Sequence, residues 1–246
     1  MTEYRRAADM ISRSARTAAF TGAGISVESG VPPFRGKDGI WNRYNPEVLE
    51  LTYFNNNPLD AWKAIREIFY GYFEKSSPNK AHKVLADWEN RNIIQGVITQ
   101  NIDNLHHAAG SKNVIELHGN SRTLICLDCG STCPASPEIF KHNPPRCSCG
   151  GVWKPDFTFF GESLPADALD GAEKMINDAE ILLIIGSTGE VYPAASFPRE
   201  AKANGAAVIE INPEISNYTE SVTDLHIKEP AGTALPKIDS YLKTDR

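Results

Sequence analysis

Residues 19–36 read AFTGAGISVESGVPPFRG, in which a short apolar strand leads directly into a glycine turn and a helix start near Ser26. Gly22 and Gly24 lack a Cβ, so the backbone can turn tightly there and bring N–H groups close to a pyrophosphate. The helix that follows offers the positive end of its dipole to the same anion. A G-x-G-x-x-G fingerprint would need a third glycine at position 27, where this chain has Val27. The stretch predicts a nucleotide-binding α/β fold without the hydride-transfer loop; the alternative is a glycine turn that serves only strand–helix packing.

The composition of the 246-residue chain is that of an ordinary globular protein, with 41% hydrophobic and 23% charged residues. This length suits one large domain, or a large domain with a small insertion. The 31 acidic residues outnumber the 25 Lys and Arg, and the basic residues are scattered, which argues against direct nucleic-acid binding. No apolar run approaches the roughly 20 residues that span a bilayer. We therefore expect a cytoplasmic protein with no membrane partner.

Apolar strands alternate with helices through most of the chain, which is the pattern of a parallel sheet covered on both faces. We predict strands over residues 16–21, 93–99, 114–117, 181–185, 208–211 and 225–227. Ligands of such sheets bind beyond the carboxyl ends of the strands. The loops at those ends are polar or glycine-rich and comprise residues 100–103, 118–119, 186–189, 212–214 and 229–232. We expect these loops to assemble one site.

Two segments interrupt the alternation. Apolar residues recur at helical spacing between Leu59 and Lys75, and another helix follows with Asn79 as its expected N-cap. The second interruption lies between Leu117 and Phe159 and contains the cysteines. We expect these two segments to form one small module beside the sheet.

All five cysteines lie between residues 126 and 149, a clustering that suggests a metal site and not secreted disulfides. Cys126 and Cys129 form one pair and Cys147 and Cys149 a second, with 17 residues between them, close to the spacing of a four-thiolate zinc site. The second pair has one intervening residue instead of two, which leaves Cys133 as an alternative ligand. Four protein ligands leave no open position, so the zinc would be structural. The alternative is a set of reduced, buried cysteines.

Together these motifs resemble those of the sirtuins, NAD-dependent protein-lysine deacylases, over nearly the whole chain and in the family's order. The matching segments are residues 22–26, 28–30, 34–35, 99–103, 117–119, the cysteine pairs, 160–165, 186–187, 191–195 and 211–212. The resemblance implies a Rossmann-like domain of residues 1–36, 79–122 and 155–246, and a small domain of residues 37–78 and 123–154. NAD and the acylated lysine would enter the cleft between them. NAD would be consumed, giving deacylated lysine, nicotinamide and O-acyl-ADP-ribose.

The resemblance also implies roles for individual residues. His118 and Asn101 would be catalytic, and an imidazole with a pKa near about 6.5 suits proton transfer from a ribose hydroxyl. The residues implied for NAD binding are Gly22, Ala23, Gly24, Phe34, Arg35, Gln100, Asn101, Ile102, Asp103, Gly186, Ser187, Thr188, Asn212 and Ala231. As alternatives, Asn101 and Asp103 would cap a helix, and Ser187 and Thr188 would be ordinary turn residues.

The implied substrate peptide adds a strand between two segments and is held by backbone hydrogen bonds. The residues of these segments are Phe160, Gly161 and Glu162 on one side and Gly189, Glu190 and Val191 on the other. Relatives that remove acidic acyl groups carry Tyr-x-x-Arg on the small-domain helix; here Tyr70 matches but Phe73 holds the arginine position. A succinyl carboxylate would be buried unpaired at a cost of roughly several kcal/mol, so we expect neutral acyl groups, acetyl or longer. The alternative is that Phe73 is one more core residue.

A further departure is Pro33, which stands where many relatives have aspartate and bears on rate more than on reaction type. Two other functions compete with deacylation: ADP-ribosyl transfer or NAD hydrolysis on the same fold, and non-catalytic sensing of NAD or ADP-ribose. The presence of His118 and Asn101 together with the peptide segments favours deacylation. We expect acyl-lysine proteins or peptides as partners, and a monomer.

Overall fold

The structure, a computed structural model, describes residues 2–34 and 39–244. Its strands are β1 (Thr17–Thr21), β2 (Val97–Thr99), β3 (Val114–Glu116), β4 (Gly119–Cys126), β5 (Thr132–Pro134), β6 (Trp153–Phe157), β7 (Ile181–Ile185), β8 (Ala207–Ile211) and β9 (Leu225–Ile227). Its α-helices are α1 (Glu3–Arg13), α2 (Leu51–Asn56), α3 (Pro58–Ile65), α4 (Gly71–Phe73), α5 (Lys80–Asn90), α6 (Leu105–Ala109), α7 (Ala166–Asp178), α8 (Phe197–Ala203) and α9 (Ala231–Thr244). A π-helical turn, Arg66–Tyr70, joins α3 to α4.

Six of these strands form a parallel sheet in the order β3-β2-β1-β7-β8-β9. The register aligns the strand ends: Thr21 lies beside both Thr99 and Ile185. Ile185 in turn lies beside Ile211, and Ile211 beside Ile227. The loops that follow β1, β2, β7, β8 and β9 therefore meet at one edge of the sheet, as the sequence predicts.

Both faces of this sheet are buried. Along β1, Ala19 faces a core shared with α1, α5 and α9, whereas Ala18 and Phe20 face a core shared with α7 and α8. All five residues of β7 are buried, because a central parallel strand is covered on both sides. The expected α/β fold is confirmed.

The cysteine segment forms a second sheet, which is antiparallel and has the order β5-β4-β6. It shares an aromatic core with α2, α3 and the π-helical turn, and the indole Nε1 of Trp62 donates to the Trp153 carbonyl at 2.7 Å. The expected domain boundaries at residues 122 and 155 fall inside β4 and β6. The division into two domains stays a prediction.

Some elements differ from the expectation. The helix expected near Ser26 is a 3-10 helix, Ala23–Ser29, and it ends at Gly30 with a φ of 84°. The strand expected over residues 93–99 is confined to β2, because Asn92 has a φ of 56° and the chain turns through residues 91–95 before it pairs. The sequence does not predict β4, whose buried residues do not alternate and whose pairing with β6 shifts register.

The expected cap of α5 is confirmed, since the side-chain oxygen of Asn79 accepts a hydrogen bond from the Ala81 amide at 2.8 Å. The helix expected between Leu59 and Lys75 is present, although the π-helical turn divides it. Across residues 2–34 and 39–244, no helix has the length and apolar character needed to cross a membrane.

Candidate active site

The glycine turn after β1 packs against the loop after β7. The amide of Gly22 donates to the Ile185 carbonyl at 3.0 Å, and that of Gly24 donates to the Gly186 carbonyl at 2.9 Å. A Cβ on Gly24 would lie 2.7 Å from the Gly186 Cα, and one on Gly22 would lie 2.8 Å from the Gly186 oxygen. Glycine is therefore needed at both positions for the two loops to approach each other. The packing explanation of the turn has this support, and the predicted phosphate cradle stays a prediction.

A buried polar cluster links this turn to the loop after β2. The Asn101 side-chain amide donates to the Gly22 carbonyl at 3.1 Å and to the Ser26 hydroxyl at 3.3 Å, and Ser26 donates to the Asp103 carboxylate at 2.6 Å. Burial raises the pKa of Asp103, while hydrogen bonds from Ser26 and the Leu105 amide oppose that rise. Asp103 thus also holds the first turn of α6, whereas the Asn101 side chain turns toward the glycine loop.

His118 lies immediately before β4, with its imidazole Nδ1 2.9 Å from the Gln100 carbonyl oxygen. A carbonyl only accepts, so Nδ1 carries the proton and the neutral ring keeps its lone pair on Nε2. Burial lowers the pKa of His118, and the hydrogen bond to Gln100 offsets part of that shift. The imidazole is therefore neutral near pH 7, the state in which Nε2 can accept a proton. The side chain of Gln100 donates to the Ser187 hydroxyl at 2.9 Å, which joins the loops after β2 and β7.

The loops after β7, β8 and β9 continue the same edge. Asn212, 8% exposed, donates from its side chain to the Ser187 carbonyl at 3.3 Å. Ala231 is buried at the start of α9, and the neighbouring Gly232 amide donates to the Glu28 carboxylate at 2.7 Å. Hydrogen bonds thus connect the predicted NAD-binding loops into one rim.

Three further residues of the predicted NAD groove differ in their burial and in the element on which they lie. Ala23 begins the 3-10 helix, and Thr188 is exposed while its carbonyl accepts from the Asn217 amide at 3.0 Å. Ile102 is buried, and its carbonyl accepts from the Ser121 hydroxyl at 2.7 Å. Ile102 therefore ties the β2 loop to β4 through its main chain.

Phe34 is partly buried and packs against the aromatic core beside the antiparallel sheet. Its ring is 5.5 Å from that of Trp41 and 6.2 Å from that of Phe69, measured between centroids. The expected phosphate or ribose contact of Arg35 lies outside the described residues. Phe69 extends the group to Phe73 at 5.8 Å and to Phe157 at 5.2 Å.

Tyr70 and Phe73, the residues expected at the acyl group, differ in their surroundings. The Tyr70 hydroxyl donates to the Ser121 carbonyl at 3.0 Å, its ring lies 4.4 Å from that of Phe140, and burial raises its pKa. Phe73 is half-buried and packs on the aromatic core through Phe69. Core packing and acyl contact are compatible for Phe73, and both expectations stay predictions.

The first of the expected peptide segments is partly bonded within the chain. The Phe160 amide donates to the Leu49 carbonyl at 2.9 Å, and its carbonyl accepts from the Leu51 amide at 3.1 Å, while its side chain is 44% exposed. Gly161 has a φ of 90° and forms the tip of a turn. The carboxylate of Glu162 accepts from the Phe159 amide at 2.7 Å and faces into the protein.

The second segment is held by the loop after β8. Asn217 donates from its side chain to the Gly189 carbonyl at 3.2 Å, and the Val191 carbonyl accepts from the Ala195 amide at 2.9 Å. Glu190 is exposed. The two segments are therefore positioned by bonds inside the chain, and their contact with a peptide stays a prediction.

Sequence reasoning missed a hydrogen-bonded chain behind Asn101. The Asn101 amide donates to the Thr99 hydroxyl at 3.0 Å, and the Thr21 hydroxyl donates to that of Thr99 at 2.8 Å. Thr21 also lies 2.9 Å from Nε2 of His106, a fully buried imidazole whose pKa burial lowers. Ser26 lies in the matching segment 22–26, but the motif alone does not indicate its contacts with Asn101 and Asp103. Threonine at the ends of the adjacent strands β1 and β2 was the available signal.

The four paired cysteines form one cluster in which all sulfur atoms lie within 4.8 Å of one another. Cys126 and Cys149 are 3.5 Å apart and Cys129 and Cys147 are 3.8 Å apart. A tetrahedral zinc with bonds of about 2.3 Å needs sulfurs about 3.8 Å apart, so this donor set fits structural zinc. Cys133 is outside the cluster and pairs with Leu124 across β5 and β4, so the alternative ligand is not needed.

Comparisons with known proteins agree with this geometry. A sequence profile described as the Sir2 family matches residues 22–193. An NAD-dependent protein deacylase of Aquifex aeolicus is 46% identical over 234 residues, which cover 91% of this chain and 93% of that protein. NAD-dependent protein deacetylase 1 of Pyrobaculum aerophilum is 44% identical over 244 residues, which cover 98% of this chain and 95% of that protein.

A solved structure of a Sir2 protein with a deacetylated p53 peptide and 3'-O-acetyl ADP ribose has a TM-score of 0.92 to this chain. Its sequence is 32% identical, and the match covers 97% of this chain and 98% of that one. The family expected from the motifs is confirmed over the length of the chain: this protein belongs to the Sir2 family.

Proposed function

We propose that this protein is an NAD-dependent protein deacylase that removes neutral acyl groups from lysine side chains. The observation that carries the proposal is the neutral His118, whose Nδ1 is fixed by Gln100 and whose Nε2 keeps a lone pair at the loop edge of the sheet. Its Sir2 relatives are NAD-dependent protein deacylases and deacetylases, which supports the same reaction class over ADP-ribosyl transfer, simple NAD hydrolysis or sensing.

Bound NAD would supply an electrophilic ribose carbon with nicotinamide as leaving group, and its ribose would take up the acyl group. Gly22, Gly24 and Gly186 let the backbones of two loops approach each other closely, and these loops would form the floor of the NAD groove. Asn101 and Asp103 lie beside it in the cluster that Ser26 completes. Their buried hydrogen bonds fix the β2 loop, so its polar groups are oriented before the substrate arrives.

His118 acts as the general base on a ribose hydroxyl. Its Nδ1–H donates to the Gln100 carbonyl, which fixes both the tautomer and the ring orientation and directs the basic Nε2 away from that carbonyl. Because burial disfavours the imidazolium, the ring stays neutral until a proton is delivered. Proton transfer by such a positioned side chain contributes about 10²–10⁴-fold to a rate.

The aromatic wall of Phe34, Phe69, Phe73 and Phe157 supports the preference for neutral acyl groups. An acetyl or fatty acyl chain gains apolar contact on such a wall, whereas a carboxylate would lose water without gaining a cation. The hydroxyl of Tyr70 is already bonded to Ser121, so Tyr70 would contact the acyl group through its ring or through a change in that bond.

The four-cysteine cluster would hold zinc with a structural role, because four thiolates complete the coordination. We further propose an acyl-lysine protein or peptide as the partner, a monomeric active form, and a cytoplasmic location. The loops of the rim are joined to one another by hydrogen bonds within the chain, so the proposed site needs no residue from a second copy. The clustering of the cysteines in a metal-type set, and not in disulfide pairs, is the sequence feature behind the proposed location.

The test is release of nicotinamide from NAD by the zinc-loaded protein with one peptide that carries acetyl, succinyl or myristoyl lysine. We expect release to require the acyl-lysine, to be slowest with succinyl, and to disappear in His118→Ala. NAD loss that is independent of acyl-lysine would move the assignment to ADP-ribosyl transfer or hydrolysis. Binding of NAD without any turnover would favour a sensor.

A further inference from the structure

A lysine is buried at the junction between the antiparallel sheet and the expected peptide segment. Lys154 belongs to β6 and its side chain is 4% exposed. Lysine is almost never this deeply buried unless it is paired. Neither the glycine loop nor the histidine site uses this ammonium group, so its position calls for a separate explanation.

All three N–H bonds of the Lys154 ammonium have acceptors. Nζ donates to the carbonyls of Pro155 at 3.1 Å and Phe157 at 2.7 Å, and to the Glu162 carboxylate at 2.8 Å. The ammonium also lies 4.2 Å from the ring centroid of Phe159. Burial lowers the pKa of Lys154, and Glu162 counteracts that shift. The ammonium therefore joins the end of β6 to the turn that follows it.

Glu162 closes that turn from the other side. One carboxylate oxygen accepts from both Lys154 Nζ and the Phe159 amide, and the Glu162 amide donates back to the Phe159 carbonyl at 3.0 Å. Between these two ends lie Phe160, whose side chain is 44% exposed, and Gly161 with a φ of 90°. The ion pair thus holds this turn from beneath, and the backbone bonds of Phe160 to Leu49 and Leu51 hold it at the side.

Stability alone is a weak reason for such a pair, because taking two charges out of water offsets most of their attraction, and apolar replacements of similar volume are often neutral. Directional bonds fix a backbone conformation, which apolar packing does less well. Resting on the proposed function, we propose that Lys154 is a positioning residue for the acyl-lysine peptide. It acts through Glu162 to hold the Phe159–Glu162 turn in the conformation that receives the substrate backbone.

This assignment changes the role expected for Glu162. Its carboxylate faces Lys154 and the Phe159 amide, so it anchors the turn from inside and leaves peptide contact to the exposed Phe160 side chain and the Gly161 backbone. Neither Lys154 nor Glu162 has a hydrogen bond to His118 or Asn101 among the described residues. A defect in the pair should therefore appear in peptide binding before it appears in chemistry.

The experiment compares steady-state kinetics of Lys154→Met, Lys154→Arg, Glu162→Gln and the Met/Gln double variant with an acetyl-lysine peptide. We expect the peptide KM to rise about tenfold in Lys154→Met and Glu162→Gln, with kcat and the KM for NAD within about twofold of wild type. Arginine keeps the charge and donors, so Lys154→Arg should recover most of the loss. The double variant should be no worse than the poorer single variant, because both substitutions remove the same interaction.

Lys202→Met on α8, which breaks an exposed ion pair with Asp224, is the matched control and should leave all constants unchanged. A purely structural role would lower thermal stability and the active fraction, hence kcat, without changing the peptide KM, and that result overturns the proposal. If Lys154→Met does not fold, the conservative Glu162→Gln decides by the same criterion. Absence of acyl-dependent turnover in the wild type would instead defeat the proposed function, whatever the variants do.

Discussion

The two sheets of this molecule are stabilised by different means. The parallel sheet is enclosed between two cores composed mainly of Ile, Leu, Val and Ala, with β1 and β7 fully buried. The antiparallel sheet has one exposed short strand, β5, and depends on an aromatic core and a cysteine cluster. Apolar burial thus stabilises the parallel sheet, whereas the antiparallel sheet combines an aromatic core with a cysteine cluster that fits structural zinc. In the proposed function, the proton transfer by His118 takes place at the loop edge of the parallel sheet, and the acyl group is selected beside the antiparallel sheet.

Removal of the metal should produce the largest difference in stability between the two sheets. Structural zinc contributes roughly 10 kcal/mol to the folding of small metal modules, so Cys129→Ser or a strong chelator should unfold the antiparallel sheet. We expect acyl-dependent turnover to fall more than about 100-fold while the parallel sheet persists. Hydrogen exchange should rise over residues 119–157 and stay slow in β1 and β7.

The control for metal removal is Cys133→Ser, which changes the cysteine outside the cluster and should retain zinc and activity. Equal loss of protection in both sheets after chelation would show that they fold as one cooperative unit.

Adding a single methyl group should change thermal stability differently at the tightly packed glycine turn after β1 and at the helical segment beside the antiparallel sheet. Gly24→Ala would place a Cβ 2.7 Å from the Gly186 Cα, and overpacking of this kind costs about 1–3 kcal/mol. Gly71→Ala meets only the Arg66 carbonyl at 3.5 Å, an ordinary contact, and alanine favours a helix. Thermal unfolding should show a lower Tm for the first variant and an unchanged or higher one for the second. The opposite order would contradict the close packing of the two loops.

A substitution beside the antiparallel sheet should change the preference for the acyl group without changing NAD binding at the loop edge of the parallel sheet. Phe73→Arg adds a cation to the aromatic wall, and a hydrogen bond to a charged group contributes about 1.5 kcal/mol, or about tenfold. The ratio of desuccinylation to deacetylation should rise by about that factor, while the KM for NAD stays constant. Phe73→Leu, which keeps an apolar side chain, should leave the ratio low. An unchanged ratio in Phe73→Arg would place Phe73 in the core only.

The smallest predicted effect is the pH dependence of the rate, which should come from His118 at the loop edge of the parallel sheet alone. His118 must be neutral to accept a proton, and its pKa lies below the ordinary value of about 6.5 because the ring is buried. The rate should therefore be flat above about pH 6.5 and fall at lower pH, by at most about tenfold at about pH 5.5. Acetyl and myristoyl peptides should give the same profile in kcat/KM. If the pH profiles differ between the two acyl groups, the titrating group is not His118 but a residue near the acyl group, beside the antiparallel sheet.

The sequence predicts the parallel sheet well, because its strands are continuous apolar runs. The predicted bounds of β7 and β9 match the structure, whereas β2 is shorter than Ile93 and Ile94 suggest, because the positive φ of Asn92 delays pairing. The antiparallel strands have short, mixed segments that periodicity does not detect. Cysteine spacing nevertheless identified the metal-type cluster.

The sequence motifs also predicted that Gln100, Asn101, Asp103 and His118 belong to one site. What they did not reveal are contacts between residues distant in sequence, such as Ser26 with Asp103, which are 77 positions apart. The burial of Lys154 is another such feature, since a lysine between Trp153 and Pro155 looks like a surface residue until the turn folds over it.

Only two residues, Leu117 and His118, separate β3 of the parallel sheet from β4 of the antiparallel sheet. The chain therefore crosses from one sheet to the other through the histidine itself. Its imidazole is bonded to the Gln100 carbonyl on one side, and its own carbonyl accepts from the Thr158 amide on the other at 2.8 Å. Gly119, with a φ of 70°, follows directly. The backbone that connects the two sheets therefore also orients the imidazole, so a change in the angle between the sheets would alter the direction of Nε2.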